Sequence, residues 1–138
     1  MPELSPGDYQ TLLDFRTSLR RFERWSEDQA RSVGLTPAQH QLLLAVKGHP
    51  GERGPTISDI AEYLTVRHHS AVGLVDRAEM AGLITRLRDT VDTRAVRLAL
   101  TMAGQQRIAQ LSELHLAELN RLAPILEHLT AGLSQTVD

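Results

Sequence analysis

The arrangement of two short helices followed by a change in hydrophobic period is the feature that most constrains the fold. Apolar side chains on one face predict a helix over Ile57–Leu64 and a second over Arg67–Ala81. A break at Thr65-Val66 separates them, and two short helices joined by a tight turn are typical of a helix-turn-helix. After Gly82 the period changes from that of a helix to the two-residue period of a strand.

The segment after this change is predicted to be a hairpin. Leu83–Arg88 and Ala95–Leu100 alternate apolar and polar residues, and the polar stretch Asp89–Arg94 lies between them. A short hairpin directly after a helix-turn-helix forms a wing in folds of this kind. We therefore expect a mainly helical α+β fold, a winged helix-turn-helix.

Long helices are predicted on both sides of this lobe. Ser5-Pro6 is a helix start signal, and the helix it opens should continue to about Val33 and stop at Gly34, with one apolar face buried. A second helix should start after Thr36-Pro37 and end near Gly48. The loop His49–Pro55 is rich in Gly and Pro and precedes the helix-turn-helix.

The last helix is predicted to start at Met102, after Thr101, and to be kinked or broken at Pro124. Its apolar arc is too wide for a domain this small to cover, so we expect a second copy of the chain to cover part of it. The expected organisation is a single domain over residues 1–138. The DNA-binding lobe would span residues 36–100, and dimerisation helices would span 5–34 and 101–133.

Composition limits the possible chemistry. The 138 residues include no cysteine, so disulfides and thiolate metal sites are excluded, which suits a reducing cytosol. No run approaches the roughly 18 apolar residues that a membrane span needs, and we expect a cytoplasmic protein with no membrane contact. The sequence contains no phosphate loop, no His-Glu-x-x-His and no other catalytic constellation, so we expect no enzyme activity, no cofactor and no metal.

The net charge of −2 is unusual for a DNA-binding protein, but the charge is unevenly distributed. Residues 65–97 contain 6 Arg and 4 acids, a balance of +2, and the rest of the chain has 9 basic and 13 acidic residues, a balance of −4. The positive part is therefore one contiguous segment that coincides with the second helix of the pair and the hairpin.

Several short motifs in this region together resemble the MarR family of regulators. They match in order and spacing over about residues 35–104, and they include Thr56–Leu64, Leu74–Arg77, Gly82–Ile84, Asp92–Arg94 and Leu100–Gly104. The resemblance implies a homodimer held by its first and last helices, with two lobes on a pseudo-palindromic operator. It also implies a repressor that a small anionic or aromatic effector releases from DNA.

The candidate DNA contacts lie on the second helix of the pair and on the wing. The first turn of that helix should reach base edges in the major groove, and the resemblance puts the wing's Asp-x-Arg in the flanking minor groove. Arg86, Arg88 and Arg97 are weaker candidates, for phosphate contacts. The predicted DNA-binding residues are Arg67, His68, His69, Ser70, Gly73, Arg77, Arg86, Arg88, Asp92 and Arg94.

Other readings of these residues stay open. Phe15, Phe22 and Trp25 could line an effector pocket or could be ordinary core or interface, and His115 could be a hydrogen-bonded interface residue. A zinc site at His68-His69 lacks a third ligand nearby. The serious alternative function is a winged-helix module that contacts proteins and does not bind DNA.

Overall fold

The computed structural model describes residues 3–131 of the chain. The elements in chain order are α1 (Pro6–Ser32), α2 (Pro37–Gly48), α3 (Ile57–Leu64), α4 (His68–Met80), β1 (Ile84–Arg88), β2 (Val96–Leu100) and α5 (Met102–Ala131). The expected winged helix-turn-helix with long flanking helices is confirmed. The expected end of the last helix at residue 133 lies outside the described residues. Within residues 3–131, no helix is both long and apolar enough to cross a membrane.

The first three helices start in the same way. In each, a Ser or Thr hydroxyl accepts a hydrogen bond from the N–H three residues on, and the side chain at that position accepts one from the cap N–H. The pairs are Ser5 with Asp8, Thr36 with Gln39, and Thr56 with Asp59. The hydrogen bond from the Thr56 N–H lowers the pKa of Asp59, and this carboxylate therefore stays ionised where it caps α3.

The turn of the helix-turn-helix depends on one residue in the left-handed region. Thr65 has φ 55° and ψ 49°, and its N–H donates to the Glu62 carbonyl at 3.3 Å. The next N–H, of Val66, donates to the Ala61 carbonyl at 3.0 Å. These two bonds satisfy carbonyls at the end of α3 and reverse the chain into α4.

The two strands form an antiparallel hairpin in which Ile84 pairs with Leu100 and Arg88 with Val96. Leu98 of β2 also donates its N–H to the Pro55 carbonyl at 2.9 Å, so the loop before α3 lies along the hairpin. The hairpin, the helix-turn-helix, α2 and the first turns of α5 enclose one core. Its fully buried large side chains are Leu42, Leu43, Ile60, Ile84, Leu98, Ile108, Leu111, Val75 and Pro55.

The long helices α1 and α5 depart from two of the predictions made from the sequence. The apolar stripe of the first helix is not buried within one chain, since only Ser26 and Ala30 of α1 are buried. Helix α5 runs unbroken through Pro124, so a break there is wrong. Helices α1 and α5 pack against each other. Their exposed large apolar residues are Tyr9, Leu12, Leu13, Phe15, Leu19, Leu114, Leu116, Leu119 and Ile125.

Candidate nucleic-acid interface

The first turn of α4 faces solvent and carries no side-chain cap. Arg67 is the N-cap residue and makes no capping hydrogen bond, because a guanidinium has no acceptor atom. Residues 67–70, which are Arg67, His68, His69 and Ser70, are all exposed. The opposite face of α4 is buried in the core. The core therefore fixes the orientation of the helix and leaves its polar first turn free for a partner.

Gly73 and Arg77 lie together one turn further along α4. A Cβ built at Gly73 would be 3.3 Å from an Arg77 guanidinium nitrogen, so the arginine side chain folds back towards the glycine. Arg77 itself is exposed. The missing side chain at Gly73 leaves room for this cation near the middle of the helix.

Arg86 has two partners within the chain. Its guanidinium donates to Asp76 Oδ1 at 2.5 Å and to Glu79 Oε1 at 2.6 Å, and its side chain is 27% exposed. The hydrogen bond with Asp76 is the main reason that the pKa of Arg86 is raised. Because both carboxylates belong to α4, Arg86 joins β1 to α4. A DNA phosphate would have to compete with these two carboxylates for the Arg86 guanidinium.

The wing tip presents a solvent-exposed arginine. The Arg94 side chain is 93% exposed, and its backbone N–H donates to Asp92 Oδ1 at 3.1 Å, a local turn that holds the tip. The Arg94 Nε lies 3.5 Å from the same oxygen. Arg88 Nη1 donates to the Thr93 carbonyl at 3.1 Å, so the predicted residues Arg88, Asp92 and Arg94 all meet at this tip.

Asp89 anchors the start of the wing-tip loop, directly after β1, and sequence reasoning placed it only in the polar tip. Its residue is 5% exposed, and its Oδ2 accepts from Arg97 Nε at 3.1 Å and from Arg53 Nη1 at 3.4 Å. Its Oδ1 accepts from the Val91 N–H at 3.0 Å. That backbone bond, followed by the two arginines, keeps the pKa of Asp89 below its usual value. Arg53 and Arg97 are 36 and 8 residues from Asp89 in the sequence, so the local spacing of residues did not predict either contact.

We expect Asp89→Asn to lower the urea midpoint of unfolding near neutral pH. A carboxyl whose pKa is lower in the folded state stabilises the protein above the unfolded pKa of about 3.9, and this contribution is lost as the pH falls through the folded value. The difference between the variant and the wild type should therefore shrink in acid. Asp92→Asn is the control, since Asp92 is exposed, and a larger effect there than at position 89 would contradict the anchor role.

Of the three aromatic residues considered for a pocket, two belong to a ring cluster with His115. The ring centroids of Phe22 and Trp25 are 6.0 Å apart, and those of Trp25 and His115 are 4.8 Å apart. His115 Nδ1 donates to the Leu111 carbonyl at 2.7 Å, and Ser26 Oγ lies 2.6 Å from its Nε2. His115 thus has hydrogen-bond partners within its own chain.

A groove of about 430 Å³ lies beside this cluster, between α1 and the start of α2. Phe22 lines the groove, whereas Phe15 and Trp25 are not among the described residues that line it. Phe15 is exposed on the outer half of α1. The part of the chain that the structure describes holds no group of three or more His, Asp or Glu residues arranged to bind a metal.

Comparison with known proteins shows which protein family the chain is similar to. The family model described as MarR family matches residues 33–95, which cover most of the lobe. The transcriptional repressor MdtR of Bacillus subtilis (strain 168) is 28% identical over 141 residues, covering 94% of this chain and 89% of MdtR. The chain is therefore similar to the MarR family of winged-helix regulators. Both the order of the motifs and the fold agree with this similarity.

Solved structures of this family share the fold. AbsC, a MarR-family transcriptional regulator of Streptomyces coelicolor, has a TM-score of 0.72 at 21% identity, covering 95% of this chain and 99% of AbsC. The MepR–DNA complex of Staphylococcus aureus has a TM-score of 0.64 at 23% identity, covering 88% of this chain and 97% of MepR. At these identities the likeness concerns the fold.

Proposed function

We propose that the chain is a MarR-family regulator that binds double-stranded DNA sequence-specifically as a homodimer and represses transcription in the cytoplasm. The observation that carries the proposal is the exposed, uncapped first turn of α4, which lies in the same lobe as a wing tip whose Arg94 side chain is 93% exposed. That MepR of the same fold has been solved in complex with DNA supports it. MdtR is named as a repressor, which supports the direction of regulation.

The lobe suggests a division of roles among the predicted residues. Arg67 is the candidate for bidentate contact with guanine, and His68, His69 or Ser70 could reach a base or a phosphate in the major groove. Arg77 and Arg88 are suited to phosphate contacts, and Arg94 to the minor groove. Arg86 is better suited to positioning the wing on α4, because Asp76 and Glu79 already occupy its guanidinium.

The homodimer is proposed from the exposed apolar surface of α1 and α5. Residues such as Leu12, Phe15 and Leu119 lie on the outer halves of these helices and would be costly to leave in water. Pairing these surfaces between two chains would bury them and create a two-fold axis. Two lobes related by such an axis would bind a pseudo-palindromic operator whose half-sites are spaced about one helical turn apart or a multiple of it.

The proposal is tested by the binding of the purified protein to duplex DNA from its own upstream region. Measurements at two salt concentrations, with random-sequence competitor DNA, separate specific from non-specific binding. Salt-sensitive binding that survives the competitor would support the proposal. A dimer that does not bind at low salt would contradict it and would favour the protein-contact module.

Arg94→Glu is expected to weaken operator binding at least about tenfold and to make the dependence of log Kd on log salt shallower by about one. The reason is that the exposed guanidinium at the wing tip is replaced by a charge that phosphates repel. The matched control is Arg24→Glu, which makes the same change of net charge on an exposed residue of α1. Equal losses in both variants would indicate a general charge effect and no wing contact.

We also propose that a small molecule bound in the α1–α2 groove releases the regulator from its operator. The groove lies where the lobe joins the long helix α1, so a ligand there would contact both parts. If it fits one lobe orientation better than another, it shifts the population away from the DNA-binding state. Operator binding measured with and without candidate ligands tests this step.

A further inference from the structure

Two histidine rings are packed together where the lobe joins the long helices. His40 of α2 and His115 of α5 have ring centroids 4.7 Å apart, and Trp25 of α1 packs against His115 with centroids 4.8 Å apart. The His40 residue is only 3% exposed. The helices α1, α2 and α5, which all pack against one another, therefore meet at a pair of titratable rings.

His115 has an oxygen partner at each of its ring nitrogens. Its Nδ1 donates to the Leu111 carbonyl at 2.7 Å, so in the neutral ring Nε2 accepts from the Ser26 hydroxyl at 2.6 Å. When Nε2 takes up a proton, the hydroxyl can rotate and accept from it. His115 can therefore carry a charge while both of its N–H groups remain hydrogen-bonded.

His40 has no such support for a charge. Within residues 3–131, neither of its ring nitrogens has a hydrogen-bond partner. Burial is the main reason that the pKa of His40 is lowered, and the neighbouring His115 lowers it further. Two charged rings at this separation would repel each other in a place that largely excludes water. The pair therefore accepts one proton without disruption and resists a second.

The charged residues around the pair do not offset this repulsion. Glu23 and Glu27 of α1 line the groove beside His40. They share their exposed surface with three arginines of the same helix, Arg20, Arg24 and Arg31. The charged residues of α2 and of the middle of α5 are exposed or have other partners; they are Lys47, Arg107, Glu113, Glu118 and Arg121. In the part of the chain that the structure describes, no carboxylate is bonded to either imidazole.

We propose that His40 and His115 form a proton-sensitive contact between the lobe and the two long helices. With at most one proton added to the pair, the rings stay packed and α2 is held against α1 and α5. With a second added proton, the two cations repel each other, His40 turns out to solvent and the lobe loses its fixed orientation. Release of the operator in mild acid follows, and only this last step rests on the proposed function.

The first test is urea unfolding of the intact protein between about pH 7.5 and 5.5. A histidine whose pKa is lowered by folding stabilises the protein above the unfolded value of about 6.5, and this contribution is lost as the pH falls towards the folded value. The urea midpoint of the wild type should therefore fall over this range. In His40→Phe, which keeps a ring that cannot be protonated, the fall should be at most about half as large.

The matched control is His128→Phe, the same change at an exposed histidine of α5. Its urea midpoint should fall with pH as much as that of the wild type. Each variant is compared with itself at the two pH values, so a general loss of stability in His40→Phe does not imitate the effect. A fall in His40→Phe as large as in the wild type would overturn the proposal.

A second measurement leaves His40 unchanged. Trp25 is the chain's single tryptophan and contacts His115, and a protonated imidazole quenches indole fluorescence more strongly than a neutral one. The fluorescence of the folded protein should therefore fall as the pH is lowered, and His115→Gln should remove most of this quenching. Quenching that is unchanged in His115→Gln would place the first proton outside the pair and would also overturn the proposal.

Operator binding of the wild type and His40→Phe is measured separately at the same two pH values. The exposed His68 and His69 of α4 also titrate, but both proteins contain them, so the difference between the proteins isolates His40. On acidification the wild type should lose at least about tenfold more affinity than His40→Phe. Equal losses would overturn the coupling to the lobe. An absence of operator binding at both pH values would contradict the proposed function, and the urea and fluorescence results, which involve no DNA, would still decide the proton-sensitive contact.

Discussion

Gly54→Ala is expected to lower the free energy of unfolding by about 3 kcal/mol, because the new methyl group has no room. A Cβ at this position would lie 2.0 Å from the Leu98 carbonyl oxygen and 3.1 Å from its carbon. Both are backbone atoms of β2, so no side-chain rotation relieves the overlap. The loop would have to move away from the hairpin and lose the Leu98–Pro55 hydrogen bond.

Thermal or urea unfolding measures this loss, and a fall in melting temperature of about 10 °C is expected for a protein of this size. Gly48→Ala is the matched control. It lies at the end of α2, a Cβ there would meet no atom within 4 Å, and its stability should be unchanged or slightly raised. If Gly54→Ala is as stable as this control, the close approach of loop and hairpin is incorrect.

Gly104→Ala should cost about 2 kcal/mol at the junction between the lobe and α5. A Cβ at this position would lie 2.3 Å from the Leu83 carbonyl oxygen, which also accepts the Thr101 N–H at 3.0 Å. The first turn of α5 would have to shift and strain that hydrogen bond. Helix propensity favours alanine by up to about 1 kcal/mol, which makes the net loss smaller than at position 54.

Gly73→Ala is the control for this second prediction, because it is also a glycine inside a helix. Its Cβ would meet only the flexible end of Arg77, at 3.3 Å. We expect the free energy of unfolding to be unchanged or to rise by about 0.5 kcal/mol. Chemical denaturation of both variants distinguishes the steric effect from the general effect of replacing a helical glycine.

The close contact at Gly54 and the ion pairs of Arg86 and Asp89 together hold the wing in a fixed position on the lobe. Arg86 joins β1 to α4, and Asp89 joins the start of the wing-tip loop to Arg53 of the loop before α3. The loop is itself fitted against β2 at Gly54. A proposed DNA contact at Arg94 gains from such support, since recognition requires that side chains from two elements meet the duplex together.

The elements of the fold could be predicted from the sequence because their signals are local. The Ser5 and Thr56 caps act within three residues, and the apolar period of a helix or a strand repeats within one turn or one residue pair. Gly34 and Gly82, which adopt positive φ values of 80° and 76°, follow the ends of α1 and α4 as predicted. The helix-turn-helix, the hairpin and the exposed first turn of α4 follow from such signals.

Only the tertiary structure decided which of these residues have partners. The partners of Asp89 include Arg53, 36 positions away, and a methyl group at Gly54 would meet the backbone 44 positions later, at Leu98. Local spacing carries no information about such contacts, because they depend on how loop and hairpin pack. The same reason applies to Arg86, which the sequence suggests is free but which pairs with carboxylates of α4. It applies also to His40, which packs against His115 of α5. Residue types and periods thus determined the elements, and packing between distant segments determined which charges remain available for a ligand.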